Sequence, residues 1–377
     1  MTKIQPTHTF NFLLYIVVII GLSVIGTNAC AQQEKVEQLL QLAEQGDANA
    51  QVNVGPRYLR GEGISQDDVE AYRWFRMAAE QGEALAQTNL GWMYYHGEGV
   101  PQDYTEAAKW YRLAAEQGYA VAQNNLGLMY ANGEGVPQDH AEAAKWYRLA
   151  AKQDVAVAQD NLGWVYHHGE GVRRDYEEAM KWYRLAAKQG LAAAQAHLGE
   201  MYYDGEGVPQ DYEEAMRWYR LAAEQGLATA QGNLALMHDK GRGVPQDHAE
   251  AAKWYRLAAE QGLDMAQSAL GWMYDNGQGV PQDYVEAAKW YHLAAEQGEA
   301  RAQSVLGGMY YQGQGVRQDY IEAHKWFNLA ASQSSGEMYE VVVNMREHIA
   351  NKMTQDQIAE AQRLAREWDK MHKPDAR

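Results

Sequence analysis

Apolar and polar positions along this chain repeat with a period of 36 residues, and tryptophan marks the period most clearly. The regularly spaced tryptophans are Trp74, Trp110, Trp146, Trp182, Trp218, Trp254, Trp290 and Trp326. A fixed period of about 20 to 50 residues is typical of stacked repeat architectures. We therefore expect eight equivalent structural units, with one of these tryptophans in the repeat core of each.

Within one unit the pattern predicts two helices joined by a glycine-bounded loop. Residues 86–96 predict a first helix (helix A), residues 97–103 the loop, and residues 104–118 a second helix (helix B) that ends in a glycine turn. Positions spaced by three, four and seven residues fall on one face of a helix. On helix B we expect the core stripe to contain Ala107, Trp110, Leu113 and Ala114.

The loop residues are those that begin and end helices. Gly97 follows helix A, where a left-handed conformation is commonly required. Asp103 precedes helix B with Glu106 three residues later, which resembles a capping box. Because this carboxylate pair recurs in every unit, we interpret it as structural rather than catalytic. The Gly-x-Gly loops lack the strand and third glycine of a dinucleotide-binding motif, so we interpret them as turns.

The repeat resembles the Sel1-like family, which is related to tetratricopeptide repeats. The motifs are Ala-Gln-x-Asn-Leu-Gly-x-Met-Tyr, Gly-Glu-Gly-Val-Pro-Gln-Asp and Glu-Ala-x-Lys-Trp-Tyr-x-Leu-Ala-Ala, recurring over residues 47–335. The resemblance implies an all-α, right-handed α-solenoid (superhelix) of eight helix-turn-helix repeats. It also implies a protein-binding role, since exported bacterial relatives include periplasmic signalling regulators and host-entry factors.

The ends of the chain depart from the repeat. Residues 32–46 resemble a lone helix B and predict an N-terminal capping helix, while residues 336–377 predict C-terminal capping helices. Thr354 and Gln357 form a capping box that opens the last helix. On the two C-terminal helices we expect inner faces made by Tyr339, Val342, Val343, Arg346 and Ile349, and by Ile358, Ala361, Leu364, Ala365 and Trp368.

Residues 1–31 have the features of an export signal. Lys3 precedes an uncharged, apolar run over residues 10–26, and small residues follow it up to Ala31. Cleavage after Ala31 would place the protein in the periplasm or outside the cell. An outer-membrane lipoprotein anchored at Cys30 and an uncleaved anchor are the alternatives. Beyond this signal or lipid anchor, we expect no membrane contact.

Composition narrows the classes of partner. The formal net charge is −17, and the chain has no basic stripe of the kind that displaces counterions from a nucleic acid. We therefore expect protein partners and no nucleic acid. Cys30 is the only cysteine, so a disulfide within the chain is excluded. No motif indicates a cofactor.

Comparing the eight copies separates constant from variable positions on helix A. The changing positions, equivalent to 85, 88, 92, 95 and 96, lie on one face of the helix, here called the variable face. By the tetratricopeptide resemblance this face lines the concave surface, where solenoids commonly bind extended partners. The predicted partner-binding residues are Trp92, Tyr95, His96, Leu128, Trp164, His167, His168, Glu200, Tyr203, Asp204, Trp272, Asp275 and Tyr311.

Each of these predictions has an alternative. Trp92, Trp164 and Trp272 are either interface anchors or core residues packed against a neighbouring helix. The histidines do not predict a metal site, because neighbouring histidines on a helix point about 100° apart and no carboxylate accompanies them at ligand spacing.

No set of residues resembles a catalytic nucleophile with its base, and we expect a non-catalytic scaffold. The alternative is an enzyme that binds or hydrolyses β-lactams or cell-wall ligands, as the resemblance to cysteine-rich Sel1-like relatives implies. This chain lacks their paired cysteines.

Overall fold

The computed structural model describes residues 29–372, and every regular element in this range is an α-helix. The nineteen helices are α1 (Ala29–Glu44), α2 (Ala48–Arg60), α3 (Asp68–Glu80), α4 (Ala84–His96), α5 (Tyr104–Glu116), α6 (Ala120–Asn132), α7 (His140–Ala151), α8 (Ala156–His168), α9 (Tyr176–Lys188), α10 (Ala192–Asp204), α11 (Tyr212–Glu224), α12 (Ala228–Lys240), α13 (His248–Glu260), α14 (Asp264–Asn276), α15 (Tyr284–Glu296), α16 (Ala300–Gln312), α17 (Tyr320–Gln333), α18 (Gly336–Ala350) and α19 (Gln355–His372). Residues 1–28 of the predicted export signal lie outside the described range. Within that range no helix is long and apolar enough to cross a membrane.

Helices α2 to α17 form eight hairpins, in which the even-numbered helices are the predicted A helices and the odd-numbered ones the B helices. Within each unit, consecutive hairpins pack against one another, as α5 does against α6. The tandem hairpins confirm the predicted all-α solenoid class. The chain divides between Ala194 and Gln195 into two units, and each is described by itself.

The loop residues cap the helix ends largely as the sequence predicts. Asp103 caps α5, and its side chain accepts hydrogen bonds from the backbone N–H groups of Thr105 and Glu106. Gly97 ends α4 with φ 73°, a left-handed conformation. The second half of the predicted capping box is wrong, because the Glu106 carboxylate pairs with Lys109. The N–H of Asp103 instead donates to the carbonyl of Tyr94 in the preceding helix.

In six of the eight loops the second glycine lies against the start of the preceding B helix. A Cβ atom at Gly135 would overlap the backbone carbonyl of Tyr104, and one at Gly99 would overlap that of Asp68. This close approach explains why the loop requires glycine there. The prediction that the Gly-x-Gly loops are turns is confirmed.

The core of each hairpin is centred one residue after the regular tryptophan. Tyr111 is fully buried, and α5 surrounds it with buried alanines on the same face. Leu113, predicted to belong to the core stripe, is 45% exposed, so that prediction is wrong. Two residues along a helix correspond to about 200°, which places Leu113 almost opposite Tyr111.

The regular tryptophans lie at the edge of this core. Trp326 is fully buried and Trp74 is 9% exposed, whereas the other six are partly exposed. Trp146, for example, packs against the cluster that contains Tyr111 of the preceding hairpin and Met129 of its own hairpin. These indole rings therefore join adjacent repeats.

A buried glutamine links each A helix to the two B helices beside it. Gln123 is 4% exposed; its amide N–H donates to the Ala115 carbonyl at 3.1 Å, and its amide oxygen accepts from Gln153 at 2.9 Å. The same pairing, 30 residues apart, joins Gln51–Gln81, Gln87–Gln117, Gln159–Gln189, Gln195–Gln225, Gln231–Gln261, Gln267–Gln297 and Gln303–Gln333. We call this arrangement the glutamine clamp. Gln123 adds a side-chain donor to a carbonyl at the end of a helix, which also accepts the backbone N–H of Gly118.

Both ends carry the additional helices that the sequence predicts. Helix α1 packs against α2, and α18 and α19 both pack against α17. Thr354 and Gln357 exchange the reciprocal hydrogen bonds of a capping box at the start of α19. Tyr339, expected on the inner face of α18, is 47% exposed, so that assignment is wrong, whereas Val342 on the same helix is fully buried.

Candidate functional site

The variable face of the A helices is less open than a docking surface requires. Of the predicted partner-binding residues, five are buried: Tyr95, Leu128, Trp164, His167 and Tyr203. Five are partly exposed: Trp92, Glu200, Trp272, Asp275 and Tyr311. Only His96, His168 and Asp204 are exposed. The prediction that the whole face is available to a partner is therefore wrong.

The tyrosine hydroxyl groups of this face form hydrogen bonds within the protein. The Tyr95 hydroxyl donates to the Glu134 carboxylate at 2.7 Å, in the loop of the following repeat. Arg242 donates to the hydroxyl of Tyr203 in the same relative position. Both contacts span 39 residues, so these hydroxyl groups tie one repeat to the next.

Tyr311, in the last repeat, makes the corresponding contacts with the C-terminal helices. Its hydroxyl lies 2.7 Å from Nζ of Lys352 and 3.0 Å from Nε2 of His348. Tyr311 therefore joins α16 to the segment that caps the array. The sequence did not reveal this use, because the contacting partners differ in chemistry from repeat to repeat.

The three tryptophans of the variable face also pack within the fold. Trp92 contacts the cores of two adjacent hairpins, and Trp272 does the same in the second unit. Trp164 is 9% exposed and stacks on His168, with the ring centres 3.4 Å apart. Of the two alternatives named from the sequence, interface anchor or core residue, the structure shows Trp164 as a core residue. Trp92 and Trp272 combine packing with an accessible edge.

Burial shifts the pKa values of two polar groups of the face, His96 and Asp275. Partial burial beside Trp92, whose ring centre lies 4.7 Å away, lowers the pKa of His96. Burial raises the pKa of the Asp275 carboxyl. Among the described residues no group of three or more His, Cys, Asp or Glu could hold a metal ion. The face thus offers aromatic edges with single polar groups beside them.

One position on the face opens onto free space. Gly308 occupies the place of Trp92 and Trp272, and a Cβ atom there would meet no atom within 4 Å. In the second unit, the partly exposed Trp272 and Asp275 precede it by one repeat.

Sequence reasoning missed a second repeated feature, on the B helices. The leucines equivalent to Leu113 are 40–47% exposed, and we call them the B ridge. They are Leu113, Leu149 and Leu185 in the first unit, and Leu221, Leu257 and Leu293 in the second. The signal was present: Ala107, Ala108, Tyr111, Ala114 and Ala115 form a better-centred apolar stripe that leaves Leu113 outside it.

Comparison with known protein families finds the Sel1 repeat. Its model matches residues 48–83, 84–119, 120–155, 156–191, 192–227, 228–263, 264–299 and 300–335. The matches are contiguous and follow the hairpins described above. No curated protein matches the chain.

Two solved structures are similar over most of the chain. A Sel1 repeat protein from Oxalobacter formigenes is 34% identical, covers 88% of this chain and 99% of its own, and has a TM-score of 0.63. The protein c5321, described as a protective antigen of uropathogenic Escherichia coli strains with an SLR fold, is 33% identical. That match covers 96% of this chain and 84% of the other, with a TM-score of 0.54.

Proposed function

Because the chain belongs to the Sel1 repeat family, we propose that it is an exported, non-catalytic scaffold that binds a protein partner along the variable face of its A helices. Sel1 repeat proteins generally bind protein partners and act as non-catalytic scaffolds. The export and the binding surface are the specific parts of the proposal.

The observation that carries the proposal is the contrast between constant and changing positions. The repeats stack through the glutamine clamp, the buried aromatic residue at the position of Tyr111 and the loop glycines, which all recur from copy to copy. The position of Trp92 instead holds leucine in Leu128, glutamate in Glu200 and glycine in Gly308. Variation where stacking makes no constant demand is expected of a recognition surface.

The structure limits which residues take part. His96, His168 and Asp204 have exposed side chains, while Trp92, Trp272 and the open position at Gly308 supply accessible apolar surface. Aromatic edges beside a few polar groups are typical of the centres of protein interfaces. The buried Leu128, Trp164 and His167 shape the surface from beneath.

The export part rests on residues 1–31 alone. Their basic start, apolar run and small residues before Gln32 support passage across the membrane and removal of the signal. Mass spectrometry of the protein from fractionated cells tests this. A periplasmic or secreted form starting at Gln32 is expected; a cytoplasmic form that retains Met1 would contradict it, and an acylated Cys30 would replace cleavage with a lipid anchor.

The binding surface is tested by crosslinking in the native cell. A photoreactive amino acid is placed at His96 or Asp204, on the variable face, and at the matched exposed positions Thr105 and Glu213 in the first turns of two B helices. A discrete crosslinked protein is expected from the first pair of positions and not from the second. Equal labelling from both pairs, or none from either, would reject the variable face as the binding surface.

A further inference from the structure

The last helix of the chain lies on a surface that is partly exposed in six of the other repeats. Helix α19 places Ala365 and Trp368 in one cluster with Trp326 and Leu329 of α17. Trp326 and Leu329 are fully buried there. The indole N–H of Trp368 donates to the Glu296 carboxylate at the end of α15, at 2.7 Å. Trp326, Leu329 and Glu296 thus form the surface on which this helix lies, and we call this combination of a tryptophan, a leucine and a glutamate a seat.

The same three residue types recur, uncovered, along the array. In six repeats the regular tryptophan is partly exposed and the B-ridge leucine is 40–47% exposed, and in four of these a glutamate ends the preceding B helix. The four copies of this seat, two in each unit, are Glu80 with Trp110 and Leu113, Glu116 with Trp146 and Leu149, Glu224 with Trp254 and Leu257, and Glu260 with Trp290 and Leu293. Glu116 and Glu260 are exposed, whereas Glu296 beneath α19 is partly buried.

We propose that the B ridge is a docking surface for an amphipathic helix of a partner protein that presents alanine and, three residues later, tryptophan, as α19 does. The partner's tryptophan packs between the regular tryptophan and the ridge leucine, and its indole N–H donates to the glutamate. Burial of an aromatic anchor in an apolar pocket with one directed hydrogen bond is a common way of holding a helix on a groove.

The occupant is a partner rather than a second copy of this chain. Trp368 is only 5% exposed in its own seat. Releasing α19 to reach another molecule would expose Trp326 and Leu329, so the exchange gains no buried surface. A helix from another protein covers an exposed ridge without uncovering anything here.

The chain also contains an internal contrast. In α7 the position of Glu116 is taken by Lys152, beside Trp182 and Leu185. A lysine ammonium donates hydrogen bonds and cannot accept one from an indole N–H. This seat is therefore expected to bind an α19-like helix more weakly than the glutamate seats.

The test uses a fluorescent peptide of residues 354–372 as the probe and the chain from Gln32 to Arg377 as the receptor. Fluorescence anisotropy should show saturable binding although α19 is in place. A Trp368→Ala peptide should bind at least tenfold more weakly. In the receptor, serine in place of the ridge leucine of every glutamate seat should weaken binding at least fivefold; these leucines are Leu113, Leu149, Leu257 and Leu293. Val69→Ser, a matched change at a residue 48% exposed outside the ridge, should have no effect.

Three results would overturn the proposal. The first is no binding of the peptide. The second is undiminished binding to the receptor that carries the four leucine substitutions, which would mean that the peptide only replaces the chain's own α19. The third is self-association of the receptor alone, seen by analytical ultracentrifugation and abolished by the ridge substitutions, which would make a second copy the occupant. Circular dichroism of each variant checks that the fold is retained.

Discussion

The glutamine clamp predicts that a single buried amide stabilises the contact between repeats. Replacing Gln123 with methionine keeps the volume of the side chain and removes both hydrogen bonds of the amide. Each such bond contributes about 1 kcal/mol, and the Ala115 carbonyl keeps the backbone N–H of Gly118 as a donor in the variant. We expect Gln123→Met to lower the free energy of unfolding by about 2 kcal/mol.

The matched control is Gln153→Met, at the other side of the same clamp. Gln153 is exposed, so water replaces its hydrogen bonds to Gln123 and Gly118. We expect a loss of less than about 1 kcal/mol for this variant. The two changes remove one shared bond, so the double variant should lose less than the sum of the single losses.

Urea unfolding followed by far-UV circular dichroism measures these differences, and an unchanged slope shows that the same transition is compared. If Gln123→Met lowers the free energy of unfolding no more than Gln153→Met does, burial of the amide does not determine how much the clamp stabilises the protein. If the double variant equals the sum of the single variants, the bond between the two amides contributes nothing measurable.

Three further predictions concern stability. Asp139→Ala should cost about 1 kcal/mol in urea unfolding through loss of the cap on α7, and Asp139→Ser should largely restore it. Gly135→Ala should cost at least about 2 kcal/mol more than Gly118→Ala, because both glycines have positive φ but only Gly135 faces the backbone of the preceding helix; equal costs would refute the close approach. Burial lowers the pKa of His238 below its usual 6.5, so the unfolded chain binds a proton there before the folded one does. Its contribution is therefore present above about pH 6.5 and is lost as the pH falls towards the folded-state value, and His238→Tyr should flatten the fall in melting temperature between about pH 7.5 and about pH 5.5.

The sequence predicted local structure well, because helix ends depend on few residues. Asp103 and Gly97 identify their positions by chemistry that acts within one turn. The orientation of helix B was harder to predict. Trp110 and Leu113 are the largest apolar residues, yet the small alanines around Tyr111 allow the closest approach of neighbouring helices and so face the core.

The candidate site was predicted less well, since burial of a helix A position depends on residues far along the chain. Tyr95 is engaged by Glu134, and Tyr311 by Lys352, at separations that no local pattern reveals. Variation between copies correctly identified one face of the helix. It could not distinguish side chains that contact solvent from those that contact the next repeat.

The seat of α19 has a consequence for the length of the array. Glu260, Trp290 and Leu293 repeat the chemistry of Glu296, Trp326 and Leu329, which lie one period later. An in-frame loss of residues 300–335 would therefore place α19 on an equivalent seat, whereas an in-frame duplication of residues 264–299 would leave Glu296, Trp326 and Leu329 in place beneath α19. Gene rearrangements in steps of 108 nucleotides can lengthen or shorten this protein without a new terminus having to evolve.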